Sequence, residues 1–208
     1  MRLLLALLIM TGMAHAEGER AGRFDYYVLA LSWAPSWCDL EGDERGALQC
    51  DPARDAGWTL HGLWPQFERG WPSYCRGLAR NPSRSVTAAE APLYGSGGSA
   101  WHQWNKHGRC SGLSARAFYD LSAEAFESIA KPEILRRITE EMRLRPSVIE
   151  AAFLEANPDL SSESVTITCK AGRIAEARIC LTKDLEPRRC GSDVIRDCTA
   201  TSGFPPIR

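Results

Sequence analysis

Eight cysteines, at positions 38, 50, 75, 110, 169, 180, 190 and 198, constrain this chain more than any other feature. Their count is even, and no C-x-x-C pair occurs among them. Zinc sites favour such close pairs, whereas an even set in an exported chain reads as four disulfides. The opening residues carry the marks of export. Met1 and Arg2 precede the apolar run LLLALLIM, and Ala14-His15-Ala16 offers small residues to a signal peptidase. That run falls well short of the ~20 residues a membrane span requires. Residues 1–16 are therefore read as a signal peptide, and 17–208 as a single domain long enough to bury a sizeable core. Three histidines remain after the signal: His61, His102 and His107.

The formal net charge of the whole chain is −1. A nucleic-acid partner would therefore be held by a local basic site rather than by a global positive field. No apolar stretch after the signal is long enough to cross a bilayer. Internal repeats and low-complexity blocks are absent from the sequence, and its loosest segment is AEAPLYGSGGSA at 89–100.

FDYYVLALSWAP (24–35) is a nearly continuous apolar and aromatic run, the pattern of a buried central strand. WTLHGLW (58–64) is a second strand, entered from Gly57 and stopped by Pro65, with Trp58 and Leu60 on one face and Thr59 and His61 on the other. SVTITC and RIAEARICLT, joined by Lys170-Ala171-Gly172, form a hairpin. Between them the period becomes helical. Ser114 caps a helix carrying Phe118, Leu121, Ala125 and Ile129. Pro132 opens a helix with Ile134, Ile138 and Met142, and Pro146 another with Ile149, Ala152 and Phe153 that ends at Asn157-Pro158. Strands at both ends with helices between them predict an α+β fold.

Residues 101–110 read WHQWNKHGRC. At about 100° per residue, His102, Gln103, Lys106 and His107 share an arc of roughly 140°, with Trp101 and Trp104 on the other side. The polar quartet can face a cleft while the tryptophans anchor the helix in the core. Core packing is likewise expected of Trp33 and Trp58. A zinc-binding helix would space its histidines at i and i+4 around a glutamate. Here they are five apart, Gln103 follows the first, and Lys106 would repel a cation, so no metal is expected. Imidazole, with an ordinary pKa of about 6.5, suits acid and base roles near neutrality. Phosphodiester transfer needs such a pair, together with positive charge and N–H donors on the phosphoryl oxygens. Lys106 and the amide of Gln103 can supply those. The competing readings are that each histidine is merely a structural hydrogen-bonding residue, or that the chain is a secreted inhibitor or adhesion domain. The latter leaves the three histidines and Lys106 unexplained.

WTLHGLWPQ (58–66) together with HQWNKHGRC (102–110) resembles the two active-site segments of the ribonuclease T2 family, the secreted acid-type RNases. FDYYVLALSWAPSWC (24–38) is similar to that family's opening strand and following cysteine, and the likeness runs from about residue 24 to the C-terminus. The resemblance implies a central antiparallel sheet with several helices packed around it, stapled by disulfides. It implies endonucleolytic cleavage of single-stranded RNA through a 2′,3′-cyclic phosphate to a 3′-phosphate, without metal or cofactor. DNA, which lacks the 2′-hydroxyl, would not be cut. The protein would be a monomer in the periplasm or the medium, free of the membrane once the signal is removed. Carried onto matching positions, His107 would be the base, His61 the acid, His102 a phosphate ligand and Lys106 the stabiliser of transition-state charge. Gln103 stands where the family pattern has glutamate, and would keep a phosphate contact while removing a titrating group. Trp64 and Trp71 would stack a base. Gln66 stands where an acidic residue in some members contacts adenine. The implied disulfides are Cys38–Cys50, Cys75–Cys110, Cys169–Cys198 and Cys180–Cys190. The second function considered is a non-catalytic secreted RNA-binding protein on the same fold.

Overall fold

The apolar run near the N-terminus becomes strand β1 (Tyr26–Trp33), and the sheet is built around it. The computed structural model describes residues 19–208, so the expected signal peptide lies outside the described residues. Tyr27, Leu29, Leu31 and Trp33 point into the main hydrophobic core, while Tyr26 and Val28 join a smaller cluster with Cys180, Cys190 and Val194. Burial on both faces accounts for the unbroken apolar character of the strand.

Strand β2 (Trp58–Gln66) pairs antiparallel with β1. It does not stop at Pro65 as expected but continues to Gln66. β2 is an edge strand, where a residue lacking an N–H is tolerated. On the other side of β1 lies β5 (Arg173–Leu181), also antiparallel, which forms a hairpin with β4 (Val165–Lys170). Ala171 and Gly172 make that turn at φ 47° and 76°, the left-handed pair a two-residue hairpin demands. β3 (Met142–Leu144) and β6 (Ser202–Phe204) complete a six-stranded sheet in the order β2-β1-β5-β6-β3, with β4 paired to β5 off that path. The sheet is antiparallel except for one parallel contact, Arg173 opposite Gly203.

Seven α-helices among the described residues surround the sheet: α1 (Ala34–Trp37), α2 (Arg84–Ala89), α3 (Ala91–Tyr94), α4 (Gly97–Lys106), α5 (Ala115–Ser128), α6 (Glu133–Arg136) and α7 (Pro146–Ala156). Ser114 caps α5, its Oγ accepting the Ala117 N–H, and Phe118 and Ala125 are buried as the spacing predicts. α7 is closed by Asn157, whose Nδ2 donates to Phe153 O and to Ala130 O. The helix expected from Pro132 to Met142 is the exception. It ends at Arg136, Ile134 is exposed, and Met142 lies in β3 opposite Phe204. Pairing with β6 overrides the helical spacing because it supplies backbone partners that a solvent-facing helix could not give to that strand.

Four disulfides join Cys38 to Cys50, Cys75 to Cys110, Cys169 to Cys198 and Cys180 to Cys190, the pairing the resemblance implies. The fold is α+β and disulfide-stapled. The potential metal ligands that cluster among the described residues are Cys38, Asp43 and Cys50, and the two thiols there are spent on each other.

Candidate active site

A β-bulge in β2 aims the first histidine. The register passes from Gly62 opposite Ala30 to Leu60 opposite Leu31, so His61 is the extra residue. A bulge turns two successive residues to one face. Before it, Thr59 and His61 face away from the core. After it, Leu63 enters the core, while Gly62, Trp64 and Gln66 share the cleft side with His61. The alternation expected for 58–61 is present; the shift that follows it is not readable from the spacing.

The cleft face of β1 is unusually small. Ala30 sits between Gly62 and Arg178, and Ser32 between Thr59 and Glu176. These short side chains let His61 reach across a whole strand to β5, where its Nδ1 meets Glu176 Oε1 at 2.5 Å. The other carboxylate oxygen accepts from Arg178 Nε at 2.9 Å and from its terminal nitrogen at 2.7 Å. Sequence reasoning missed this pair. The available signal was the period-two placement of Glu176 and Arg178 on a strand whose alternate residues, Ala177 and Ile179, are core.

The second half of the site comes from α4 and the residue that ends it. Trp104 is fully buried and packs on Phe118 at 6.0 Å, fixing the rotation of the helix. Trp101, expected in the core beside it, is instead 43% exposed: it lies off the cleft but also off the packed stripe. Gln103 is buried, and its Oε1 accepts the Trp64 indole N–H at 2.9 Å. That contact lies directly over Gly62, where a Cβ would come within 2.2 Å of the Gln103 oxygen. Only glycine permits the helix to approach β2 so closely.

Trp64 thus stands between the two histidines. Its ring is edge-on to His61 at 5.1 Å and stacked on His107 at 5.3 Å and 25°. The Arg178 guanidinium lies 5.3 Å from the same ring. His107 is 6% exposed, and its Nδ1 is buried without a hydrogen-bond partner. Burial first, then the charges of Lys106, His61 and His102, push its pKa from the ordinary 6.5 down to about 3. Glu176 moves the other way from what its burial favours. Desolvation resists ionisation, but the hydrogen bond and charge of His61 and the Arg178 guanidinium outweigh it and hold the carboxyl at about 2.

Two adjoining clefts meet at these residues. A smaller one of about 280 Å³ is lined by His107, Lys106, Trp64, Gln66, Trp71 and Asp193 among others. A larger one of about 720 Å³ extends past Ser32, Tyr94, Ser99 and Glu176. His61, His102, Gln103 and Arg178 line both. All the residues singled out from the sequence for chemistry therefore converge on one place. On the far wall of the smaller cleft, Gln66 is buried and Trp71 is 57% exposed. The Trp71 loop is anchored by Asp193 Oδ2, which accepts the Gly70 N–H at 2.6 Å, and by the Cys75–Cys110 bond to the segment after α4.

The chain is similar to known proteins in sequence and in fold. A family profile described as the ribonuclease T2 family matches residues 24–190. The chain is 42% identical to a ribonuclease of Aeromonas hydrophila over 124 residues, 58% of this chain and 54% of that protein. It is 25% identical to ribonuclease I of Escherichia coli (strain K12) over 197 residues, covering 74% of this chain and 73% of the other. The matched stretch thus spans about half the length of the Aeromonas relative. Among solved structures, an RNase-related protein from Calystegia sepium superposes with TM-score 0.69 at 20% identity, over 89% of this chain and 99% of that one. RNase NT in complex with 5′-AMP gives 0.62 at 21%, over 88% and 98%. At such identity these two establish the fold alone.

Proposed function

The chain belongs to the ribonuclease T2 family, and from that premise we propose that it is an exported endoribonuclease that cleaves single-stranded RNA without a metal or cofactor. The observation that carries this reading is the placement of His61 and His107 on either side of one indole, both facing the same cleft. His107, neutral because it is buried, takes the proton of the 2′-hydroxyl. The 2′-oxygen attacks phosphorus as the P–O5′ bond breaks, and His61 gives a proton to the departing 5′-oxygen. The product is a 2′,3′-cyclic phosphate, and the two rings exchange roles when water opens it to a 3′-phosphate. His102 and Lys106 hold and neutralise the phosphoryl oxygens. With Oε1 taken by Trp64, Gln103 keeps its amide N–H groups as donors to phosphate.

A base stacks on Trp71, whose ring is largely exposed on the cleft. Trp64, stacked on His107 and lining the same cleft, is the second aromatic ring against which a base can pack. Gln66 sets a hydrogen-bond pattern on the same wall. Export is supported by the four disulfides, which persist in oxidising compartments.

Digestion of RNA by pure, oxidised protein in the presence of a chelator tests the proposal, with the product ends sequenced. Cyclic phosphate ends are expected on RNA and no cleavage of DNA. His61→Ala and His107→Ala should each lower turnover by roughly 10²–10⁴-fold, the usual worth of an acid or base. RNA bound but left uncut across pH 4 to 8 would mean a non-catalytic RNA-binding protein, and near-native rates in either variant would overturn the assigned roles.

A further inference from the structure

Neither the histidine motifs nor the family resemblance assigns Glu176. It stands on β5, two strands away from His61 across the short side chains of β1, and its side chain is 12% exposed. Both of its oxygens are used: Oε1 on His61 Nδ1 at 2.5 Å, and Oε2 on two nitrogens of Arg178 at 2.9 and 2.7 Å. His107 has no counterpart to this arrangement, since its own Nδ1 is buried and unpartnered. The two histidines are therefore held by unlike means.

We propose that Glu176, fixed by Arg178, is a positioning residue that holds His61 with Nδ1–H on the carboxylate, so that Nε2 is the atom that donates the proton in the cleaving step. The inference rests on the ribonuclease reading given above. An ionised carboxylate accepts only, so the His61 nitrogen facing it must carry hydrogen. In the protonated ring, Nδ1–H points at Glu176 and Nε2–H is left for the cleft. When the P–O5′ bond breaks, the Nε2 proton passes to the leaving oxygen and the electron pair stays on Nε2. The neutral ring that remains keeps its proton on Nδ1, still bonded to Glu176, and no proton moves onto the carboxylate. Arg178 holds Glu176 through its second oxygen, so the carboxylate cannot rotate away from the ring. Partners of this kind fix both tautomer and ring direction.

The test compares two substrates. A natural dinucleoside phosphate needs its 5′-oxygen protonated as it leaves. A nucleoside 3′-(p-nitrophenyl phosphate) has a leaving group stable as an anion and needs no acid. Glu176→Gln should lower kcat on the dinucleoside phosphate by about 10–100-fold with KM changed by less than about twofold, and leave kcat on the activated ester within about threefold of wild type. Equal losses on both substrates, or no loss on either, would overturn the proposal. A second measurement requires no variant. ¹⁵N NMR of the neutral His61 ring should find the proton on Nδ1, and the opposite tautomer would sink the idea. If the wild-type protein cleaves neither substrate, the ribonuclease reading fails while the NMR measurement still decides the positioning. Arg178 is a poorer probe, because it lines both clefts and would report on substrate contact as well.

Discussion

His61 and His107 carry the same ring in unlike surroundings. One is exposed and hydrogen-bonded to a carboxylate; the other is buried against an indole with an unpartnered nitrogen. Both were visible in the sequence because their neighbours, WTLHGLWPQ and HQWNKHGRC, are distinctive. Glu176 was not, because it lies 115 residues from His61 and nothing local to it differs from an ordinary polar strand position. Gln103 shows a different limit. Its place on the cleft side of α4 follows from helical spacing, but its bond to Trp64 depends on how close the helix comes to β2. A glutamate there would have to accept the same indole N–H with a group that titrates in the acid range. Gln103→Glu is therefore expected to change the acid side of the pH–rate profile, measured as kcat/KM between pH 3 and 7. An unchanged profile would remove the idea that glutamine simplifies the titration of the site.

At the level of elements, the site is made by a sheet with two different faces. On β1, Leu29, Leu31 and Trp33 face the core, while Ala30 and Ser32 form a low floor over which β2 and β5 exchange side chains. Substituting the floor should be costly, since Ala30 is fully buried beneath the residues that cross it. Ala30→Leu is expected to part His61 from Glu176, reducing turnover on RNA by at least about tenfold, with overpacking costing roughly 1–3 kcal/mol in denaturant unfolding. Ala30→Gly should spare turnover. If the leucine variant cuts RNA at the native rate, the floor does not set the contact. The sequence made β1, β2, the β4–β5 hairpin, α5 and α7 legible, since each has a regular apolar period and a recognisable end. It hid the bulge at His61 and the strand β3, because both are decided by pairing with distant backbone, Ala30–Leu31 in one case and β6 in the other. Helical spacing separated Trp101 from the cleft correctly, yet could not say that only Trp104 meets the core.

For the whole molecule, the two shifted groups make stability depend on acidity. His107 has a folded pKa of about 3 against an ordinary 6.5, so the unfolded chain takes up its proton first, and stability is lost as the pH falls from about 6.5 toward 3. Glu176, at about 2 rather than 4.5, adds a second loss from about 4.5 downward. At about 1.4 kcal/mol per pH unit for a single group, the two together amount to a few kcal/mol by pH 3–4. Urea unfolding of the oxidised protein at pH 7, 5 and 4 should show this decline, and His107→Asn should flatten the portion between pH 6.5 and 4.5. A variant that declines as steeply as the wild type would place the acid sensitivity elsewhere. The cleft also joins parts of the chain that come from separate stretches. The wall carrying Trp71 and the wall carrying His107 are linked by Cys75–Cys110 and by the Tyr74 N–H donated to Lys106 O at 2.9 Å. Reduction of that one bond would remove the covalent link between the two walls and leave the Tyr74–Lys106 hydrogen bond to hold their register. The redox state of the surroundings thus becomes a variable of the site's geometry. With that bond reduced, the wall carrying Trp71 and the wall carrying His107 would meet in looser register than in the oxidised protein.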